Sequence, residues 1–215
     1  MDKQSGTWNR INNIVDIGFT AALFAELFVI TQKAKYRTFC KRFINTYIEL
    51  FWDSISNMFF TALDANDKHV GGYFARGQAW ALEGLIPTYL TFHDEKVKFI
   101  IDKLVISLQQ KQNGTGGWAY NFAHPLMGED CKGVPIIAKN LKSWGKISGN
   151  ISLDKTAEKA FSWCIKHTSM TGESAGGIFS YNVEGAVVHH LYTETAFVYS
   201  SAYALELSDM IGCEK

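Results

Sequence analysis

In the run Tyr73-Phe74-Ala75-Arg76-Gly77-Gln78-Ala79-Trp80, an arginine, a primary amide and an indole stand close together. Arg76 and Gln78 offer planar hydrogen-bond donors, and Trp80 offers a flat apolar face. Such a set suits a sugar that carries a carboxylate, because a guanidinium can grip both carboxylate oxygens at once.

Acids that could move a proton occur at three places. Asp16 interrupts the apolar stretch Ile14-Val15-Asp16-Ile17-Gly18-Phe19. Burying a lone carboxylate is costly, so Asp16 either faces a polar cavity or sits in a first helical turn satisfied by amides. Asp64 and Asp67 occupy Leu63-Asp64-Ala65-Asn66-Asp67-Lys68-His69. They form either a solvated turn or a general acid whose proton an apolar cleft retains near neutral pH. Glu194 follows Thr193, as a first-turn carboxylate after an N-cap or as part of a site. His189 and His190 precede it; one of them, His189, is a candidate for lining a cavity. Adjacent histidines point apart and no Asp or Cys stands at ligand spacing, so no metal site is expected.

The run from Tyr73 to Trp80 resembles the Trp-Ala-Arg-Gly-Gln-Ala-Trp signature of the unsaturated glucuronyl hydrolases, glycoside hydrolase family 88. Thr193-Glu194-Thr195, with Ala202-Tyr203-Ala204-Leu205, is similar to the last inner helix of the related unsaturated rhamnogalacturonyl hydrolases, family 105. The resemblance implies an α/α toroid acting on unsaturated uronyl oligosaccharides, the products of polysaccharide lyases. In that chemistry an acid protonates the C4=C5 double bond, water adds at C5, and the hemiketal opens to release the neighbouring sugar. This route differs from displacement between paired carboxylates. It implies Asp64 as proton donor, Asp16 as supporting carboxylate, Arg76 and Gln78 on the uronate, and Trp80 and Trp118 as walls. Nearer the arginine, where the resemblance would put an acid, this chain has Gly71. The alternative is a catalytically inactive toroid that binds a glycan or a partner protein.

These residues need a scaffold, and the chain supplies two kinds of helix. Residues 14–30, 74–92, 134–144 and 193–208 are apolar nearly all round and rich in small side chains, which predicts inner helices. Residues 35–51, 95–110 and 153–167 alternate apolar and charged faces at the helical period, which predicts outer ones. Glycine pairs precede large apolar residues at Gly71-Gly72-Tyr73, Gly116-Gly117-Trp118 and Gly176-Gly177-Ile178, marking tight turns between hairpins. The expected fold is all-α, an α/α toroid in one domain over residues 1–215. With about seven helices, the ring is incomplete. Exposed inner-helix flanks then predict a homo-oligomer, most simply a dimer. Pro87 is expected to kink or interrupt its helix. Short strand pairings are expected only in the loops around residues 116–124 and 176–181.

Gln112-Asn113-Gly114-Thr115-Gly116-Gly117-Trp118 is similar to the Gln-x-x-x-Gly-x-Trp repeat of terpene cyclases, which ties outer helix ends to loops; the acidic cluster of a cyclase is absent. Asn113-Gly114-Thr115 and Asn150-Ile151-Ser152 are formal glycosylation sequons. No nucleotide fingerprint, phosphate loop or Gly-x-Ser-x-Gly elbow occurs, and no cofactor is expected.

Apolar content of 47% and aromatic content of 14% exclude disorder. A formal net charge of +0 argues against nucleic acid or membrane as partner, leaving an oligosaccharide or glycan. The first residues lack a signal-peptide profile, and the run 14–30 carries Asp16 and Glu26, so no membrane span is expected. Cys40, Cys131, Cys164 and Cys213 are scattered without a CxxC pair, as buried thiols of a cytoplasmic protein are.

Overall fold

The computed structural model describes residues 15–168, Thr171, and the short segments 181–183 and 186–188. The expected helix at residues 193–208, with Glu194, His189 and Cys213, lies outside the described residues. Six α-helices are described: α1 (Thr20–Thr31), α2 (Ala34–Phe51), α3 (Ala75–Phe92), α4 (Glu95–Gln110), α5 (Gly133–Ser148) and α6 (Ser152–Lys166). A 3₁₀ helix, Val15–Phe19, leads into α1. The described residues group into two compact units that divide after Ile101, inside α4.

In the first unit, α1 packs against α2 and α3, and the 3₁₀ helix lies along α3. Small residues permit that approach: a Cβ on Gly84 would overlap the Gly18 carbonyl, and one on Gly77 would overlap Val15. Burial follows the two expected helix types at α3, where Ala75, Gly77, Gln78, Ala79, Ala81, Leu82, Gly84 and Leu85 are all buried. The amphipathic α2 buries Cys40, Ile44, Tyr47, Ile48 and Phe51, half-buries Tyr36, Phe43 and Leu50, and exposes the rest. Departing from the inner-helix pattern, α1 buries only Ala21 and Ala25 fully and leaves Leu23, Val29 and Ile30 more than half exposed.

Pro87 does not interrupt α3, which runs unbroken from Ala75 to Phe92. The neighbouring Thr88 hydroxyl donates to the Gly84 carbonyl at 2.7 Å, one hydrogen bond the side chain supplies beside the missing proline N–H. The α2–α3 connection also holds two small antiparallel pairs where no strand was expected. These are β1 (Trp52–Asp53) with β2 (Met58–Phe59), and β3 (Ala62–Leu63) with β4 (His69–Val70). At two residues each, such strands leave no alternating pattern to read.

In the second unit, α5 packs against α6, and Val134, Ile136, Ile137 and Leu141 on α5, like Leu153, Ala157, Ala160 and Cys164 on α6, are buried. A salt bridge of 3.3 Å joins Lys142 on α5 to Asp154 on α6. The Gln112 motif works as a tie. Its side-chain nitrogen donates to the Gly116 carbonyl at 2.9 Å and to the Thr156 carbonyl on α6 at 2.8 Å, while the Trp118 indole donates to Leu108 at 2.8 Å. The strand pairing expected near residues 116–124 includes the bridge from Ala119 to Glu129. That near residues 176–181 is the pair β5 (Tyr181–Val183) and β6 (Ala186–Val188).

Candidate functional site

The start of α3 is organised around Thr61. Its carbonyl accepts the Val15 amide at 2.8 Å, and its own amide donates to Gly72 at 2.8 Å. Its hydroxyl donates to the Gly72 carbonyl at 2.9 Å and accepts the Phe74 amide at 3.1 Å. The Phe74 amide lies at the N-cap of α3, where helix amides have no partner within the helix. Thr61 thereby fastens three things to one point: the backbone beside Asp16, the base of the β3–β4 hairpin, and the first turn carrying Arg76. The Tyr47 hydroxyl holds the Val15 carbonyl from the other side, at 2.9 Å.

Arg76 and Trp80 lie one helical turn apart, so they share a face of α3. Both are half-buried, and the Arg76 guanidinium lies 5.8 Å from the Phe74 ring centre. The structure thus brings the Asp16 backbone, Arg76 and Trp80 to the same end of the first unit.

Two expected ligand-binding residues are otherwise employed. Gln78 is 0% exposed; its amide oxygen accepts the Phe59 amide at 2.8 Å, and its nitrogen donates to the Phe59 carbonyl at 2.8 Å and the Phe74 carbonyl at 3.2 Å. With both N–H bonds engaged by backbone, Gln78 has no donor left for a uronate. Trp118 is also 0% exposed and packs as core rather than as an open wall.

Asp64 sits at the turn of the β3–β4 hairpin. One carboxylate oxygen accepts the amides of Asn66 at 2.8 Å and Lys68 at 2.9 Å, closing an Asx turn. Asp67, in the same turn, is exposed with φ 58°. Asp64 stands three positions along extended chain from Thr61, a rise of roughly 10 Å away from the hub. The solvated-turn alternative describes Asp64 and Asp67 better than the general-acid one.

A different acid lies nearer the signature. Asp53 accepts the Tyr73 hydroxyl at 2.7 Å, the Ile55 amide at 2.9 Å and the Ser56 amide at 3.3 Å. Burial alone would raise its carboxyl, but these donors outweigh burial and hold it below the usual carboxylate range. Burial and the bond to Asp53 push the Tyr73 phenol above its usual value. Asp53 is therefore a carboxylate and Tyr73 a neutral phenol at neutral pH. Tyr73 also stacks on Phe60 at 4.8 Å, and Phe60 on His69 at 3.8 Å. Nothing in the sequence marks Asp53, because its partner is twenty positions away.

The second unit holds its own buried acid. Glu129 is 5% exposed and accepts hydrogen bonds from Asn113 at 2.7 Å, from the Thr115 hydroxyl, and from the Trp163 indole at 2.6 Å. These three donors make it a tie for the loop before α5. Among the described residues, no group of three or more His, Cys, Asp or Glu is arranged to hold a metal, and no helix is long and apolar enough to cross a membrane.

Neither a protein-family model nor a curated protein sequence matches the chain. Solved structures do. A possible member of glycoside hydrolase family 105 from Salmonella enterica aligns with TM-score 0.76 and 15% identity, over 92% of this chain and 55% of that one. The unsaturated glucuronyl hydrolase of Bacillus sp. GL1, responsible for the degradation of glycosaminoglycan, aligns with TM-score 0.72 and 13% identity, over 97% and 62%. A polysaccharide lyase aligns with TM-score 0.69 and 18% identity, over 100% and 67%. The fold is an α/α toroid. The chain spans 55% to 67% of the length of these toroids. At such identities the likeness establishes the fold alone, since one scaffold carries different activities.

Proposed function

We propose that the Arg76 end of α3 recognises the carboxylate of an unsaturated uronyl oligosaccharide, and that Asp16 supplies the proton that hydrates its C4=C5 double bond. Asp16 gives its proton to C4, the oxygen of a water molecule bonds to C5, and that water's spare proton restores the acid. The resulting hemiketal opens and frees the neighbouring sugar. The observation that carries this reading is the Thr61 hub, which fastens the Val15 amide, next to Asp16, and the Phe74 amide, two residues before Arg76, to one residue. Asp16 takes the donor role from Asp64 because the Asp64 carboxylate closes its own turn. Neighbouring toroids named for family 105 and for unsaturated glucuronyl hydrolysis support the substrate class.

Unsaturated uronides absorb in the ultraviolet, and hydration removes the absorbing double bond. Decay of that absorbance with the purified protein, abolished in Asp16→Asn, supports the proposal. Saturable binding of the same sugar with no decay would support the second reading, a glycan-binding toroid. One observation favours that alternative: Asp53, the described carboxylate bonded to the signature itself, is held ionised and cannot serve as the acid.

A further inference from the structure

We propose that the exposed side of α2 is a docking surface for an acidic polysaccharide, separate from the site at α3. Lys33, Lys35, Arg37, Lys41 and Arg42 are all exposed, and no acid occurs between Glu26 and Glu49. None of the five forms an ion pair with a described residue. The other helices that expose a charged face mix their signs: α4 carries Glu95 and Asp102 among its lysines, and α6 carries Asp154 and Glu158.

The arrangement on α2 works against the helix itself. Lys35 and Arg37 stand in the first turn, at the positive end of the helix dipole, which carries no acid. Lys33, Arg37 and Lys41 recur every fourth residue, a spacing at which like charges repel. Lys33 is the N-cap residue and provides no side-chain cap. A polyanion lying along this row, which extends about 12 Å, reverses the sign of the dipole and repulsion terms.

Two other polyanions fit less well. Single-stranded nucleic acid needs free rings for stacking, whereas Phe39 packs on Phe24, Phe43 on Tyr47, and Tyr36 lies under Lys35. An interfacial membrane helix needs a broad apolar face, and the one large apolar side chain that α2 exposes is Phe39. Choosing a polysaccharide rests on the functional reading above; the charged surface does not.

The test titrates the full chain with polygalacturonate, dextran, duplex DNA and phosphatidylserine vesicles across a salt series. Polygalacturonate should bind and dextran should not. Replacing Lys33→Gln, Arg37→Gln and Lys41→Gln together should lower the slope of log affinity against log salt by about two, at roughly 0.7 per charge. That triple variant should keep any double-bond hydration and melt no lower than the wild type, whereas Arg76→Ala should leave polymer binding intact. Absence of hydration in the wild type, with polymer binding intact, would sink the functional reading alone. Tighter binding to DNA or vesicles at equal charge, no binding to polygalacturonate, or an unchanged slope in the triple variant would overturn the docking surface.

Discussion

The side-chain amide of Gln78 pairs with the backbone of Phe59 as a neighbouring strand would, accepting from its N–H and donating to its carbonyl, both at 2.8 Å. This pair anchors the β1–β2 hairpin to the first turns of α3. An amide inside a recognition signature thus acts on the scaffold. Gln78→Ala should cost about 3 kcal/mol, because it strands the Phe59 amide and carbonyl in the core. Urea denaturation measures this; a loss below about 0.5 kcal/mol would show that the pair contributes little.

Glu129 binds three donors and has no acceptor partner. In Glu129→Gln the new NH₂ must face at least one of Asn113, Thr115 or Trp163, opposing donor to donor. A loss of about 2 kcal/mol is expected, with the greatest rise in amide exchange across residues 112–130. Wild-type stability in this variant would exclude the three-donor tie.

The Asp53–Tyr73 pair links stability to pH at both ends. Asp53 is held below the usual carboxylate range, so its contribution is present above the unfolded value, about 4, and is lost as pH falls through its folded value. Tyr73 is raised, so its contribution is present below about 10 and lost as pH rises through its folded value. Tyr73→Phe should move the Asp53 carboxyl upward, visible in its NMR titration. An unmoved Asp53 titration would dissociate the two groups.

Burial, with Cys131 beside it, pushes the Cys164 thiol up to about 12, and burial also raises Cys40. Cys40, Cys131 and Cys164 should resist a thiol reagent at neutral pH until the chain is denatured. Rapid native labelling of any of the three, located by mass spectrometry, would contradict their burial.

The helical framework was legible because helices leave long periodic traces: α2, α3, α4 and α6 appear within a residue or two of the expected bounds. The Gln112 tie was legible because its partners begin four residues away. The α2–α3 connection was not, since two-residue strands leave no pattern. The roles of Gln78 and Asp64 escaped for another reason. Residue type reveals that an amide or a carboxylate can bind, while only the fold decides whether backbone has already claimed it. Asp53 and Glu129 escaped because their partners meet across long sequence separations.

The roles proposed for Asp16 and Arg76 are tested most directly by ultraviolet decay of an unsaturated uronyl disaccharide. The wild type and Asp64→Asn should both remove the absorbance, Asp16→Asn should not, and Arg76→Ala should do so only at much higher sugar concentration. Decay that persists in Asp16→Asn, or that vanishes in Asp64→Asn while the fold is retained, would contradict that assignment.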